Sequence, residues 1–363
     1  MTINTQLSSA QVTLGTDTRG RAGRAAWQRV LMTGGAWVLL LDLALIAVFT
    51  VWSPGHVFFS VQNLQNQLLN GAEGLLLALA MAMLLGAGLF DLSVGANLVL
   101  SSVIGAIVLL KVAGGDAQPL QAAEVVELHN IPLAIVSGFL VCLASGVVFG
   151  IVNGVLIAHL RVNSLIATLG TLSIGTGVAF VITNGGDIGG LPPEIQSGFG
   201  LYKVGGLLPL PALVACLVAV LIWVMFKYTR FGLNTLAIGS SRLAAERAGL
   251  KVKRHMVQLT AAAGGLAGLA GFINLSHYAA TTSLGHSSDS LAAVTAAVIG
   301  GTALAGGKVS IMGTFWGNAL AGILISGLVI IGVVAYYQLI AIGAVLIIAV
   351  AIDRYRNRGK EPW

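Results

Sequence analysis

The chain has 363 residues, 56% hydrophobic and only 9% charged, with a mean hydropathy of +0.92. A soluble domain is about 45–50% apolar and about 25% charged, so this composition excludes an ordinary soluble globular protein and belongs in a bilayer. The net charge of +6 does not point to nucleic acid, because the basic residues sit in short stretches between long apolar runs.

In chain order, residues 1–30 form a polar tail carrying Arg19, Arg21, Arg24 and Arg29. The apolar run 31–52 is too long for a signal-peptide core and has no clear cleavage site, so it reads as a retained first span. A spanning helix needs about 20 mainly apolar residues. On that criterion ten spans are predicted: 31–52, 71–90, 93–113, 131–158, 164–183, 207–226, 257–276, 290–305, 309–333 and 336–352. The membrane domain thus covers 31–352, with a long loop at 227–256 and a basic tail at 353–363.

Cytoplasmic loops of membrane proteins carry an excess of Lys and Arg. With the N-terminus in the cytoplasm and alternating spans, all but Lys111 and Lys203 of the 19 Lys and Arg fall on the cytoplasmic side. The opposite side collects Asp116, Glu124, Glu127, Asp187 and Glu194. The fold class predicted is an all-α integral membrane protein of about ten transmembrane helices, both termini cytoplasmic.

The 227–256 loop concentrates Lys227, Arg230, Arg242, Arg247, Lys251, Lys253 and Arg254 around a single acid, Glu246. Within it, "SRLAAERAG" reads as a short helix. Ser240 or Ser241 can cap its start, and Gly249 can end it in the left-handed conformation, with Leu250 packing back on Ala245. So small a helix needs a partner to bury Leu243, Ala244 and Leu250.

At membrane depth, Asp91 lies in "LLGAGLFDLSVGANL". A charge there costs about 2.5–3.5 kcal/mol on insertion scales. Asp91 or Ser93 is placed to cap the helix beginning near Val94. Asp42, in the first span, is the other acid read as lying at depth. Small-residue stripes at Gly146, Gly150 and Gly154, at Gly264 and Gly268, and at Gly313 and Gly317 read as close-packing seams. Asn97, Asn153, Thr168 and Asn318 lie near these seams. They are candidates for helix–helix hydrogen bonds or, with Asp91 and Ser93, for the lining of a solute pathway.

Enzyme signatures are missing. "GGTALAGGKVS" is not a phosphate loop, since Val309 stands where a hydroxyl is needed. Cys142 and Cys216 have no metal-ligand spacing.

Three stretches carry a resemblance. "GAGLFDLSVGA" (86–96), "RVNSLIATLGTLSIGTGVAFVITNG" (161–185), and "TRFGLNTLAIGSSRLAAERAGLKVKR" followed by "LAAVTAAVIGGTALAGGKVSIMGT" together resemble the permease subunits of bacterial monosaccharide ABC importers, over about 35–352. The resemblance implies an inner-membrane subunit paired with a second permease copy or relative. Two cytoplasmic ATPases carrying the ATP and Mg would bind it, and a periplasmic binding protein would deliver a small solute. It implies no cofactor and no catalysis in this chain, and no nucleic-acid partner. It also makes Leu243, Ala244, Glu246, Arg247, Gly249 and Leu250 the helix that couples to the ATPase. Leu89-Phe90 and Ala96 depart from the family's Gly-Ile and Ser. A branched-chain amino-acid ABC permease is the main alternative. An ion-coupled carrier would need more acids at midplane, and a passive channel would need no coupling helix.

Overall fold

The computed structural model describes residues 34–116, 118–119, 128–286 and 288–334, with 337, 340, 343, 344 and 347. The predicted tails, Glu124, Glu127 and most of the predicted tenth span, 336–352, lie outside the described residues. The architecture is helical: α1 (Gly34–Trp52), α2 (Val61–Gly86), α3 (Val94–Val112), α4 (Ile131–Ala158), α5 (Ser164–Thr183), α6 (Leu210–Tyr228), α7 (Arg230–Ser240), α8 (Arg242–Arg247), α9 (Val252–Tyr278), α10 (Asp289–Ile299) and α11 (Ile311–Ile330). Two tiny antiparallel ribbons pair Gln118–Pro119 with Ile188–Gly189 and Lys203–Val204 with Leu208–Pro209. Among the described residues eight helices, α1 to α6, α9 and α11, are long and apolar enough to cross a membrane.

Helix starts follow from local chemistry. Ser60, Asn163 and Ser310 accept from the backbone N–H groups of Asn63, Leu165 and Gly313, meeting donors that have no intrahelical partner. Some predicted boundaries need correction. The second span starts at Val61 rather than 71, because Ser60 caps it and polar residues of its first turns are met by protein, Asn63 by the carbonyl of Phe58 and Gln65 by those of Gly206 and Leu207. The eighth is helical only over Asp289–Ile299. Eleven residues rise about 16 Å, too short to cross, and the chain continues through a glycine-rich turn. The 227–256 loop holds a second helix, α7, that composition did not announce. Thr229 caps it, and its buried Gly232, Thr235 and Ile238 face the bundle.

The packing is consistent with alternating directions. A Cβ on Gly146 would overlap Gly264, and one on Gly154 would overlap Thr260, so α4 and α9 run antiparallel. Gly35 meets Gly313, and Gly327 meets Phe49, so α1 and α11 run parallel. The centre is formed by α2, α3 and α9, whose apolar windows are each 72% buried, against 22% for α4. A separate small core of Val38, Phe49, Phe58, Ile299, Leu320, Ile323 and Leu324 joins α1 to α11. Asp42 is buried on α1 with no hydrogen-bond partner among the described residues.

Candidate functional site

The basic loop folds into a compact device. Ser241 is the residue that caps α8, its Oγ accepting from Ala244 N–H at 3.3 Å. Gly249 takes φ +83°, and its N–H donates to Glu246 C=O at 3.0 Å while Leu250 N–H donates to Ala245 C=O at 3.1 Å. This paired closure is the Schellman arrangement. It turns Leu250 back toward the protein, where it packs on the main core. Leu250 is therefore half-buried by its own chain, which corrects the expectation that a partner must cover it. Leu243 remains 59% exposed, Ala244 and Arg247 are exposed, and Arg242 pairs with Glu246 at 3.3 Å. Replacing Ser241 by Ala is expected to cost about 1 kcal/mol, read as faster backbone hydrogen exchange across 242–248 with the rest of the bundle unchanged.

Beside α8 opens a cavity of ≈ 1140 Å³. Its walls come from the α4–α5 connection, from α8 and from the start of α9.

At Leu89, which also lines this cavity, the chain between α2 and α3 runs without helix through a buried polar knot. Asp91 Oδ1 accepts from the backbone N–H of Ser93 at 2.8 Å and from its hydroxyl. Asn153 Nδ2 donates to Asp91 Oδ2 at 3.2 Å and to Ser93 Oγ at 2.8 Å. The backbone of the break is pinned to α5: Phe90 N–H donates to Ser164 Oγ, and Leu92 N–H to Thr168 Oγ1, both at 3.2 Å. Irregular backbone at membrane depth persists only where protein satisfies it. Neither Asp91 nor Ser93 caps α3 through its side chain, contrary to expectation. The donor on Gly95 is met from α10 instead, by Ser290 Oγ at 3.1 Å.

Asn97 sits where α4 crosses α9, donating to the carbonyls of Gly146 and Gly264 at 3.2 and 3.3 Å. Asn318 on α11 donates to Gly71 C=O at 3.0 Å. The structure thus joins Asp91, Ser93, Asn153 and Thr168 at one locus, sets Asn97 one helical turn from Ser93 on the α4–α9 crossing and places Asn318 apart, on the contact of α11 with α2.

A second polar cluster escaped the sequence reading. Asn274 on α9 donates to Glu73 Oε2 on α2 at 3.0 Å and accepts from Thr282 Oγ1 at 2.7 Å. His286 Nε2 lies 2.8 Å from Thr282 Oγ1, and its Nδ1 lies 2.6 Å from Asp289 Oδ2. His277 Nδ1 stands 4.0 Å from Glu73 Oε1. Burial alone would push the His286 imidazole down. The hydrogen-bonded Asp289 carboxylate, with Glu73 and Asp187 nearby, instead holds it above the ordinary histidine value. Glu73 corrects the reading that Asp42 was the only other acid at depth. The signal available in the sequence was a lone carboxylate inside an apolar run, which marks a functional site by default. Among the described residues no cluster of His, Cys, Asp and Glu suited to a metal is present.

The family described as "Branched-chain amino acid transport system / permease component" matches residues 63–350. The ribose import permease protein of Escherichia coli (strain K12) is 32% identical over 324 residues, 88% of this chain and 93% of that one. The ribose import permease protein of Bacillus subtilis (strain 168) is 36% identical over 315 residues, 86% of this chain and 90% of that one. The galactose/methyl galactoside import permease protein of Haemophilus influenzae is 33% identical over 327 residues, 88% and 94% respectively. No solved structure matches the chain.

Proposed function

The chain belongs to the branched-chain amino acid transport system / permease component family, and from that premise we propose that it is the membrane permease subunit of an ATP-driven sugar importer. The observation that carries the sugar assignment is sustained identity, 32–36% over most of the chain, to relatives named for ribose and galactose import; a D-allose transport permease of Escherichia coli (strain K12) is 30% identical over 85% of the chain. The family description mentions branched-chain amino acids, yet these relatives are named for sugars. The subunit sits in a bacterial inner membrane as residues 31–352 between cytoplasmic tails. It pairs with a second permease subunit and receives solute from a periplasmic binding protein.

In this reading the chain does no covalent chemistry. ATP and Mg act on separate ATPase subunits, and α8 transmits their motion. Its cap and Schellman closure make a rigid peg, and the exposed Leu243 and Ala244 give it an apolar tip. The glycine-lined crossings let packed helices change between two discrete arrangements. Asp91, Ser93, Asn97, Asn153, Thr168 and Asn318 hold the helix break and crossings past which the solute must move.

The test is reconstitution of the importer with its ATPase and binding protein, assayed with ribose, galactose and allose. ATP-dependent accumulation of at least one of them is expected, with none by the chain alone. Leu243→Asp should weaken ATPase association by about thirtyfold, the loss for an apolar hot-spot anchor of about 2 kcal/mol. Accumulation by the lone chain, or uptake of leucine in place of any sugar, would refute the proposal.

A further inference from the structure

The segment from Ala279 to His286 joins α9 to the short α10, and the hydrogens available determine how it is held. Thr282 Oγ1 lies 2.7 Å from Asn274 Oδ1 and 2.8 Å from His286 Nε2. Each approach needs a hydrogen between the two atoms, and a hydroxyl brings one. Glu73 Oε2, 3.0 Å away, takes the NH₂ of Asn274, which leaves Asn274 Oδ1 for the Thr282 hydroxyl. His286 Nε2 must then supply the other hydrogen. His286 Nδ1 lies 2.6 Å from Asp289 Oδ2, and that contact needs a hydrogen too. The His286–Asp289 pair therefore carries one proton more than a neutral imidazole beside a carboxylate. Donation runs in one direction, from His286 through Thr282 and Asn274 to Glu73 on α2.

We propose that this chain of hydrogen bonds is a proton-held latch, closing the outer half of the bundle where α2, α9 and the Ala279–His286 segment meet. In the topology proposed above the segment lies away from the cytoplasm, so the latch answers to outer pH; its use as a gate rests on the permease assignment. The junction is nearly sealed while the chain is intact, with Asn274 buried and the Glu73 and His277 side chains 12% and 14% exposed. Asp289 is 32% exposed against 10% for His286, so water reaches the pair and takes the proton there. A bare Nε2 draws the Thr282 hydroxyl, or the Asn274 amide 3.2 Å away, from its present acceptor. A bare Nδ1 faces the Asp289 carboxylate instead. Either way one link opens. The segment's other edge is pinned separately, by Ser283 N–H on Asp187 and by Thr281 on Ile188, so release centres on His286. From there α10 leads to Ser290, whose Oγ meets Gly95 at the head of α3.

The groups facing His286 are Asp289 on α10, Glu73 on α2 and Asp187 after α5. Helix α9 adds His277, 4.0 Å from Glu73 Oε1, and Tyr278, within range of the Glu73 and Asp289 charges. Burial favours the neutral ring, and the Asp289 hydrogen bond with the three carboxylates outweighs it. A histidine raised in this way holds its proton in full below the ordinary value of about 6.5 and loses it as pH rises through the raised one. The latch is thus shut in acid and loosens toward alkaline pH.

The experiment follows hydrogen exchange over 279–286 in the full-length chain in nanodiscs, corrected for intrinsic rate. The range runs from about pH 5.5 to about pH 9, bracketing the ordinary histidine value. Wild type should lose protection about tenfold across it, the worth of one charge-assisted hydrogen bond. His286→Gln should be weakly protected and independent of pH. Asp289→Asn should keep the fall with its midpoint moved to lower pH, a shift that a merely structural contact would not produce. The companion measurement is import by the importer reconstituted with its ATPase and binding protein, outer pH varied and inner pH clamped. The wild-type rate relative to His286→Gln should be about tenfold lower in acid and equal at the alkaline end. Should His286→Gln not fold, Asp289→Asn serves as the comparison, its rate exceeding wild type in acid. Protection independent of pH in wild type, or an unmoved midpoint in Asp289→Asn, overturns the latch. A pH-dependent latch with a constant rate ratio overturns the gate. No sugar import by wild type at any pH overturns the permease assignment, and hydrogen exchange then decides the latch by itself.

Discussion

Valine in place of Gly264 is expected to leave little folded protein after extraction from the membrane. A Cβ at that position overlaps the carbonyl oxygen of Gly146 and crowds Gly150, and the same approach is met from the other side, where Gly146 faces Gly264 and Gly268. Backbone cannot yield as a flexible side chain would, so α4 and α9 must separate. Overpacking of this kind costs about 3 kcal/mol, the upper end of small-to-large changes. Separation also strips Asn97 of its two carbonyl acceptors, adding about 1–3 kcal/mol for an unmet buried donor. Against a total stability of about 5–15 kcal/mol, that sum removes between about a third of the margin and all of it. Size-exclusion profiles after graded heating in detergent should show Gly264→Val collapsing about 5–10 °C below wild type. Gly177→Val, where an added Cβ meets nothing within 4 Å, should behave as wild type. Equal profiles for the two variants would refute the seam as a determinant of the fold.

Asp91→Ala carries the second large effect. The carboxyl gathers donors from Ser93 and Asn153, and alanine leaves the Ser93 N–H without that acceptor inside the bundle. The expected loss is about 2–4 kcal/mol, from one or two buried donors left unmet. Because the break is also pinned by Ser164 and Thr168, the damage should centre on residues 87–97. Asp91→Asn keeps an acceptor oxygen and should cost about 1 kcal/mol. Hydrogen exchange across 87–97 separates the two: strong deprotection in the alanine variant, slight in the asparagine variant. A protected segment in Asp91→Ala would show that the knot is not held by its carboxyl.

The sequence readily announces its spans, because a bilayer demands long apolar runs whatever the tertiary fold. The cap at Ser241 and the stop at Gly249 are equally legible, since both act within a few residues. What needs packing to reveal it is less accessible. Two glycine stripes, one on α4 and one on α9, were visible singly, but nothing local says that they face each other. Asp91 stood out, while its partner Asn153 looked like one of several equivalent amides. Glu73 in "NGAEGLLL" is visible as a lone carboxyl, but nothing near it points to Asn274, its partner 201 positions later. The short α10 read as a full span because its glycine-rich continuation is as apolar as a helix. Turn and crossing there are fixed by Gly300 lying against Gly313, again a distant contact.

The private alliance of α1 with α11 bears on how the protein is made. Helix α1 rests on a helix that begins only at Ile311. At about 5–20 residues per second, translation from Trp52 to that point lasts on the order of tens of seconds. Throughout that interval α1 lacks the helix on which it packs in the finished fold. The contact between α1 and α11 therefore closes late, after most of the bundle between them has been made.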